Sequence, residues 1–137
     1  MGTHLDGRRL RTLIKSQRYW KLKLAIRYAL RRKKLDGITV EIIVGHCTFC
    51  ALICRGTLSV FHTVYRFIAV SYYEQSVVWD SVREELQAFC GLMCFLVADW
   101  ALPWNNMVSA SDASESGYGI SVSYWDRSDV AAVGNIM

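Results

Sequence analysis

The sequence predicts an α+β fold that is mainly helical and ends in a β-hairpin. Apolar residues recur at the three- and four-residue spacing of amphipathic helices over most of residues 16–96. Near the end of the chain, residues 107–125 alternate between apolar and small polar side chains around a glycine-containing turn, which predicts two antiparallel strands. A hydrophobic content of 53% favours a folded chain over a disordered one.

The first predicted helix runs from Ser16, a residue type that favours the N-cap position, to about Lys34. Its apolar face collects residues at i, i+3 and i+4 spacing, namely Tyr19, Leu22, Ala25, Ile26, Ala29 and Leu30. A second face carries a basic stripe of Lys23, Arg27, Arg31 and Lys34, with Trp20 and Leu24 beside it. Like charges four residues apart repel each other by a few tenths of a kcal/mol per pair, and bound phosphates would remove that repulsion.

Two further helices are predicted in the middle of the chain. Thr39 is placed at the start of the second helix, which has a broad apolar face that extends to Cys54. Gly45 inside this helix is expected to allow close packing of a neighbouring helix. The third helix spans Leu58 to about Val70 and includes His62, with Tyr65 among its inward-facing residues.

A connector at residues 71–76 leads to a fourth helix that begins near Ser81 and is strongly apolar. Its inward face is predicted to consist of Val82, Leu86, Phe89, Cys90, Met93 and Leu96. The chain then unwinds over residues 98–106, where Pro103 cannot continue a helix.

The predicted hairpin presents one carboxylate, Asp112, near the end of its first strand, and Gly117 and Gly119 flank the return of the chain. One face of the second strand carries Ile120, Val122 and Tyr124, and the other carries Ser121, Ser123 and Trp125. Asp126 and Asp129 are expected in a loop after this strand. With only two strands, the apolar face and the strand edges are expected to meet solvent and to promote aggregation.

These segments, in this order, resemble the thumb, connection and RNase H start of retroelement reverse transcriptases of the retrotransposon kind. The motifs that carry the resemblance are Leu35-Asp36-Gly37, Val40–Phe49, Leu58–His62, Tyr65–Ile68, Trp79–Leu86, Pro103-Trp104 and Asp112-Ala113-Ser114 followed by Gly117-Tyr118-Gly119. The resemblance covers roughly residues 5–126. It implies the end of a polymerase palm at residues 1–12, a thumb-like segment with the basic helix at 13–70, a connection with an apolar helix at 71–106, and a truncated RNase H-like hairpin at 107–137.

The activity implied by this resemblance is that of an RNA-directed DNA polymerase with a ribonuclease H, which cleaves the RNA of an RNA–DNA hybrid with two Mg²⁺ ions held by carboxylates. The resemblance assigns Asp112 as the first RNase H carboxylate and a metal ligand. The later carboxylates and a Tyr-x-Asp-Asp polymerase turn do not occur in the sequence, and Glu115, Asp126 and Asp129 match no catalytic position. One carboxylate does not hold two metals, so the chain alone is predicted to be non-catalytic.

The net charge of +4 conceals a division between two parts of the chain. Residues 1–36 hold twelve Lys and Arg against two Asp, a net charge of +10, whereas residues 37–137 hold four basic and ten acidic residues, a net charge of −6. Such asymmetry is typical of proteins in which one region meets a polyanion. The predicted partner is therefore the nucleic-acid backbone, bound through Lys23, Arg27, Arg31 and Lys34. The alternatives are a solvated basic face and a small helical protein that lies on a membrane surface or binds another protein.

The five cysteines and the lack of a secretory signal predict a reducing, intracellular compartment. The longest uncharged apolar run, Ala88–Ala98, is too short to span a bilayer. Cys47, Cys50 and Cys54 with His46, and Cys90 with Cys94, have spacings that could supply zinc ligands. Because these spacings are helical, buried thiols that act as small hydrophobic groups are the favoured interpretation.

Overall fold

The protein divides into two compact units, Met1–Trp100 and Ala101–Met137, in a computed structural model that describes residues 3–114 and 117–136. The first unit combines helices with two small antiparallel sheets, and the second combines a β-hairpin with a short helix. The predicted α+β class is confirmed. Within the described residues, no helix is both long enough and apolar enough to cross a bilayer.

Four α-helices build the first unit: α1 (Ser16–Arg31), α2 (Gly37–Ala51), α3 (Thr63–Val70) and α4 (Asp80–Leu92). Short 3-10 segments follow α2 at Arg55–Val60 and α4 at Met93–Phe95. All four helices contribute fully buried side chains to a single core, the largest of which are Phe67, Phe89, Ile26, Leu86, Val40, Val64 and Val82. Close-packed burial of this kind is the main favourable contribution to folding.

One sheet joins the beginning of the first unit to its end. Strand β1 (Thr3–Asp6) and strand β2 (Arg11–Ile14) form a hairpin, and strand β5 (Val97–Asp99) pairs with the other edge of β2. A salt bridge of 2.9 Å between Arg11 and Asp99 accompanies this pairing. The chain has left the helix before residue 98, as predicted, but the segment does not begin as a loop: a partner strand far away in the sequence holds residues 97–99 extended.

A second sheet explains why α1 ends before Lys34. Strand β3 (Lys34–Leu35) pairs with strand β4 (Ser76–Val77), so the predicted extension of the helix to Lys34 is wrong. The helix begins at Ser16 as expected, but Lys15 occupies the N-cap position and no side chain caps the helix there.

The boundaries of α2 also differ from the prediction. Asp36, not Thr39, is the N-cap residue, and its carboxylate accepts a hydrogen bond of 2.6 Å from the backbone N–H of Thr39. This bond holds the pKa of the Asp36 carboxyl below its usual value. The helix ends at Ala51, which leaves Cys54 exposed beyond it rather than on the apolar face.

The predicted third helix is interrupted between Val60 and Thr63. Phe61 adopts an extended conformation, and its buried ring stacks on that of Phe89 at 5.0 Å between centroids. His62 therefore precedes α3 and does not lie inside a helix. Tyr65 is half exposed, contrary to prediction, and Phe67 occupies the core in this helix.

The second unit contains the predicted hairpin. Strand β6 (Met107–Ser114) pairs with strand β7 (Gly117–Tyr124) in an antiparallel register that places Asp112 opposite Gly119. The loop expected after β7 is wrong, because residues 127–134 form helix α5 (Arg127–Gly134). Asp126 occupies its N-cap position and Asp129 lies in its first turn.

Candidate nucleic-acid interface

Helix α1 packs one face into the core and turns the opposite face to solvent. Leu22, Ile26 and Ala29 are buried at i, i+4 and i+7 spacing, as the sequence predicted. Tyr19, Ala25 and Leu30 are partly buried and flank them. This packing determines which basic residues remain accessible to a ligand.

The solvent-facing side of α1 carries large apolar side chains among its basic ones. Trp20, Leu24 and Tyr28 follow one another at four-residue intervals and are 55%, 62% and 50% exposed. Arg27 and Arg31 lie within the same arc and are exposed. These five residues are called the basic-aromatic face below. Neighbouring apolar side chains that remain in water are a feature of binding surfaces.

Cations lie against the aromatic rings along this helix. The Lys23 ammonium is 5.4 Å from the Trp20 ring centroid and 5.3 Å from that of Tyr19, and it donates a hydrogen bond of 3.3 Å to the Tyr19 hydroxyl. The Arg32 guanidinium lies 4.7 Å from the Tyr28 centroid. Cation–π contacts at exposed sites contribute about 0.5–1 kcal/mol each and favour arrangements in which ring and charge lie together.

The four residues predicted to bind nucleic acid do not all lie on the helix. Lys23, Arg27 and Arg31 follow one another on α1, with Lys23 partly buried at the edge of the basic-aromatic face. Lys34 lies on β3, exposed, three residues beyond the helix. In the described part of the chain, no carboxylate forms an ion pair with a basic residue of α1. Its positive charge is therefore not neutralised by an ion pair with any carboxylate that the structure describes.

Arg83 of α4 fixes the C-terminal end of α1. Its guanidinium donates to the carbonyl oxygens of Leu30 and Arg32, each at 2.5 Å. A cation at this end satisfies carbonyl groups that have no partner within the helix and interacts favourably with the helix dipole. Arg83 thus has a structural role and does not belong to the basic-aromatic face.

Asp112 is an exposed residue of β6 in the second unit. Within the described residues, no three His, Cys, Asp or Glu side chains come together as a possible metal site. The shallow depression beside Asp112 is lined by Ala110, Ser111, Gly119, Ile120 and Ser121, none of which is a carboxylate. Glu115 lies outside the described residues. The residues present around Asp112 therefore do not fit a site for two Mg²⁺ ions.

The cysteines are distributed between core and surface. Cys47 and Cys50 are buried, Cys90 is partly buried, and Cys54 and Cys94 are exposed. Burial raises the pKa of the Cys47 thiol well above its usual value, with further contributions from Cys50 and Cys90. Burial also raises the pKa of the Cys50 thiol. Such thiols are protonated at neutral pH and act as small apolar groups.

Tyr28 is the functional candidate that the sequence-based prediction omitted. It lies four residues after Leu24 and eight after Trp20, so the helical period would have placed it on the same stripe. The predicted stripe was defined by the spacing of Lys and Arg residues, and that spacing does not identify an aromatic residue that lies between them.

The fold and this helix define the class of the protein: an α+β protein with an accessible basic and aromatic helix. Comparisons of the chain with models of protein families, with characterised proteins and with solved structures find no match.

Proposed function

We propose that this protein binds nucleic acid through the basic-aromatic face of α1, without reading its sequence. The observation that carries the proposal is the presence of basic and half-exposed aromatic side chains on one solvent-facing arc, with no described acidic residue paired to them. Both components suit the same ligand. Arg27 and Arg31 are placed to contact phosphates, and Trp20 and Tyr28 offer surfaces on which unpaired bases stack.

Two kinds of contact, to phosphates and to bases, contribute to the affinity that we propose. Each phosphate that a Lys or Arg neutralises releases condensed counterions, which makes affinity strongly dependent on salt. Stacking of a base on an aromatic side chain contributes about 1–3 kcal/mol and is tolerant of sequence. Lys23 and Arg32 place positive charge beside the Trp20 and Tyr28 rings, where the phosphates of a stacked strand would pass.

We further propose that the chain is a remnant of a retroelement reverse transcriptase, with a thumb-like and connection-like first unit and the start of an RNase H-like domain. Its support is the order of elements: a helical unit is followed by a hairpin whose first strand bears Asp112. With a single family-related carboxylate in place, we propose that this chain alone binds but does not cleave.

The test is fluorescence anisotropy of a labelled RNA–DNA hybrid and of the matching single strand, titrated with the full chain at several NaCl concentrations. Changing Lys23, Arg27 and Arg31 together to Gln should weaken binding about tenfold or more and reduce the slope of log K against log salt by about 2–3. Changing Trp20 and Tyr28 to Ala should weaken single-strand binding more than hybrid binding.

The matched control changes Arg55, Arg66 and Arg127 to Gln. These three residues are exposed and lie outside α1, so this variant has the same loss of three charges, from +4 to +1. An equal loss of affinity in both triple variants would show that net charge, not the helix, is responsible, and would contradict the proposal.

The same hybrid, incubated with Mg²⁺ or EDTA, tests catalysis. We expect no cleavage under either condition and unchanged binding in Asp112→Asn. Mg²⁺-dependent cleavage that disappears in this variant would contradict the non-catalytic assignment.

A second candidate function is binding to an anionic membrane surface. It is favoured by the apolar area that Trp20, Leu24 and Tyr28 expose among basic residues, a pattern typical of interfacial helices. Co-sedimentation with phosphatidylcholine–phosphatidylserine vesicles, with and without competitor RNA, distinguishes the two functions. Binding to vesicles that RNA does not displace would favour the membrane surface.

A further inference from the structure

A groove of about 490 Å³ separates α1 from α2 on a different side of α1 from the basic-aromatic face. The helices run in opposite directions here, because Arg18 near the start of α1 contacts His46 and Phe49 near the end of α2. A volume of this size lies within the range of small-molecule sites, about 300–1,000 Å³.

The wall of the groove is apolar along its middle. Leu22 and Ala25 contribute from α1, and Ile42 and Ile43 from α2. Ile42 is 58% exposed and Ala25 is partly exposed, whereas Leu22 and Ile43 are buried. An apolar ligand that covers the exposed surface of Ile42 and Ala25 removes it from water, which favours binding.

One end of the groove is basic. Lys15, Arg18, Lys21 and His46 line this end, and no acidic residue is among the described residues that line the groove. The Arg18 guanidinium is held 4.2 Å from the Phe49 ring centroid and donates to Nδ1 of His46 at 3.2 Å. A guanidinium can only donate, so Nδ1 of His46 is the acceptor in this contact.

We propose that this groove binds a medium-chain fatty acid. The carboxylate lies between Lys15, Arg18 and Lys21, and the alkyl chain follows Leu22, Ala25 and Ile42 along the helix axis. From Arg18, at the centre of the basic end, to Ala25 the distance along α1 is about 10 Å at the usual rise per residue. The groove thus has the polarity of an amphiphile: a cationic end, then an apolar path, with no carboxylate to repel the head group.

A fatty acid fits the groove better than an acidic protein partner does. Stable protein interfaces bury about 800 Å² on each side, whereas this groove is a local feature of two helices lined by nine residues. The proposal does not depend on nucleic-acid binding, because the groove and the basic-aromatic face have no residue in common.

The test is isothermal titration calorimetry of the full chain with decanoate, below the concentration at which it forms micelles, and with decanol as the uncharged analogue. We expect saturable binding of one decanoate per chain, with decanol weaker by about tenfold or more because it lacks the charge. Absence of saturable binding, or equal binding of decanol, would overturn the proposal.

Two variants locate the site. Ile42→Glu places a negative charge in the apolar path and should abolish decanoate binding, whereas Ile38→Glu, on the same helix but outside the groove, should not change it. Ile42 is sufficiently exposed for the variant to fold, which circular dichroism would verify. Binding of decanoate by Ile42→Glu as by the original chain would overturn the assignment.

A second variant keeps the proposal testable if Ile42→Glu does not fold. Changing Lys15 and Lys21 to Gln should weaken decanoate binding about tenfold and leave decanol binding unchanged. Unchanged decanoate binding would contradict the placement of the head group. Displacement of decanoate by a single-stranded oligonucleotide from a chain with Arg27→Gln and Arg31→Gln would assign the groove to phosphates and overturn the proposal.

Discussion

Glu85 on α4 caps the N-terminus of α3 through its side chain. Its carboxylate accepts backbone hydrogen bonds from His62 at 3.2 Å, Thr63 at 2.7 Å and Val64 at 2.9 Å. Partial burial raises the pKa of the carboxyl, but the N–H groups of Thr63, Val64 and His62 outweigh burial, so the pKa lies below its usual value. Glu85 therefore does for α3 what a local N-cap residue does in most helices.

We predict that Glu85→Gln destabilises the first unit by about 1–2 kcal/mol at neutral pH, because the amide lacks the charge that strengthens these bonds. A group with a lowered folded-state pKa contributes its full stability above the unfolded-state pKa and loses it as pH falls through the folded-state pKa. The difference between the two proteins should therefore shrink below about pH 4. Urea unfolding, followed by far-UV circular dichroism from pH 7 to pH 3, measures this difference in the free energy of unfolding.

Glu84→Gln is the matched control. Glu84 is the neighbouring carboxylate on α4, and it is exposed. Its replacement should change the free energy of unfolding by less than about 0.5 kcal/mol. A difference for Glu85→Gln that stayed constant as pH fell would contradict the capping role of the charged carboxylate.

At the scale of elements, two glycines in α2 have opposite roles. A Cβ atom added to Gly37 would lie 2.5 Å from the carbonyl oxygen of Ile68 and 2.8 Å from the Tyr72 Cα. The Gly37 N–H also donates to the carbonyl oxygen of Ser71 at 2.7 Å. A Cβ added to Gly45 would meet nothing within 4 Å, so the expectation that Gly45 allows close packing is wrong. The close approach to α2 occurs at Gly37.

We predict that Gly37→Ala destabilises the protein by about 1–3 kcal/mol, because backbone atoms of the Ile68–Tyr72 segment would have to move. Gly45→Ala should stabilise it by about 0.5–1 kcal/mol, since alanine favours the helix and the site is open. Urea unfolding of both variants under identical conditions measures whether each substitution lowers or raises the free energy of unfolding. Equal effects of the two substitutions would refute this distinction.

The ends of the helices show that the spacing of apolar residues predicts the presence and the buried face of a helix better than it predicts the first and last residues. Apolar periodicity correctly placed the buried faces of α1, α2 and α4. The same periodicity predicted that α1 extends to about Lys34, because no residue near the end of the helix indicates that Lys34–Leu35 pairs with Ser76–Val77. Arg83 stabilises the earlier end from more than fifty residues away in the chain.

At the scale of the whole molecule, the two units differ in how well they bury their apolar residues. The first unit has a core built from four helices. In the second unit, Tyr118, Ile120, Val122 and Tyr124 lie on one face of the hairpin and are each more than half exposed. Within the described residues, β6 and β7 pair only with each other. An isolated two-stranded hairpin is marginally stable, and unpaired edges favour association.

We predict that the chain self-associates through this hairpin as its concentration rises. Changing Ile120 and Val122 to Thr should suppress association, because threonine keeps β propensity but lowers the apolar area. Changing Ser121 and Ser123 to Thr, on the opposite face, is the control and should leave association unchanged. Sedimentation velocity over a range of protein concentrations measures the extent of self-association. A monomer at every concentration would contradict this prediction.

The sequence by itself determined the α+β class, the hairpin with Asp112 on its first strand, and the inward faces of the main helices. It also determined the charge division, since these features depend on residues close together in the chain. Only the tertiary structure decided which residues, distant in the sequence, stabilise these elements. Glu85 caps α3, β5 joins β2 and Gly37 meets the Ile68–Tyr72 backbone through contacts between distant segments. Periodicity carries no information about such contacts, because they arise only when the whole chain packs.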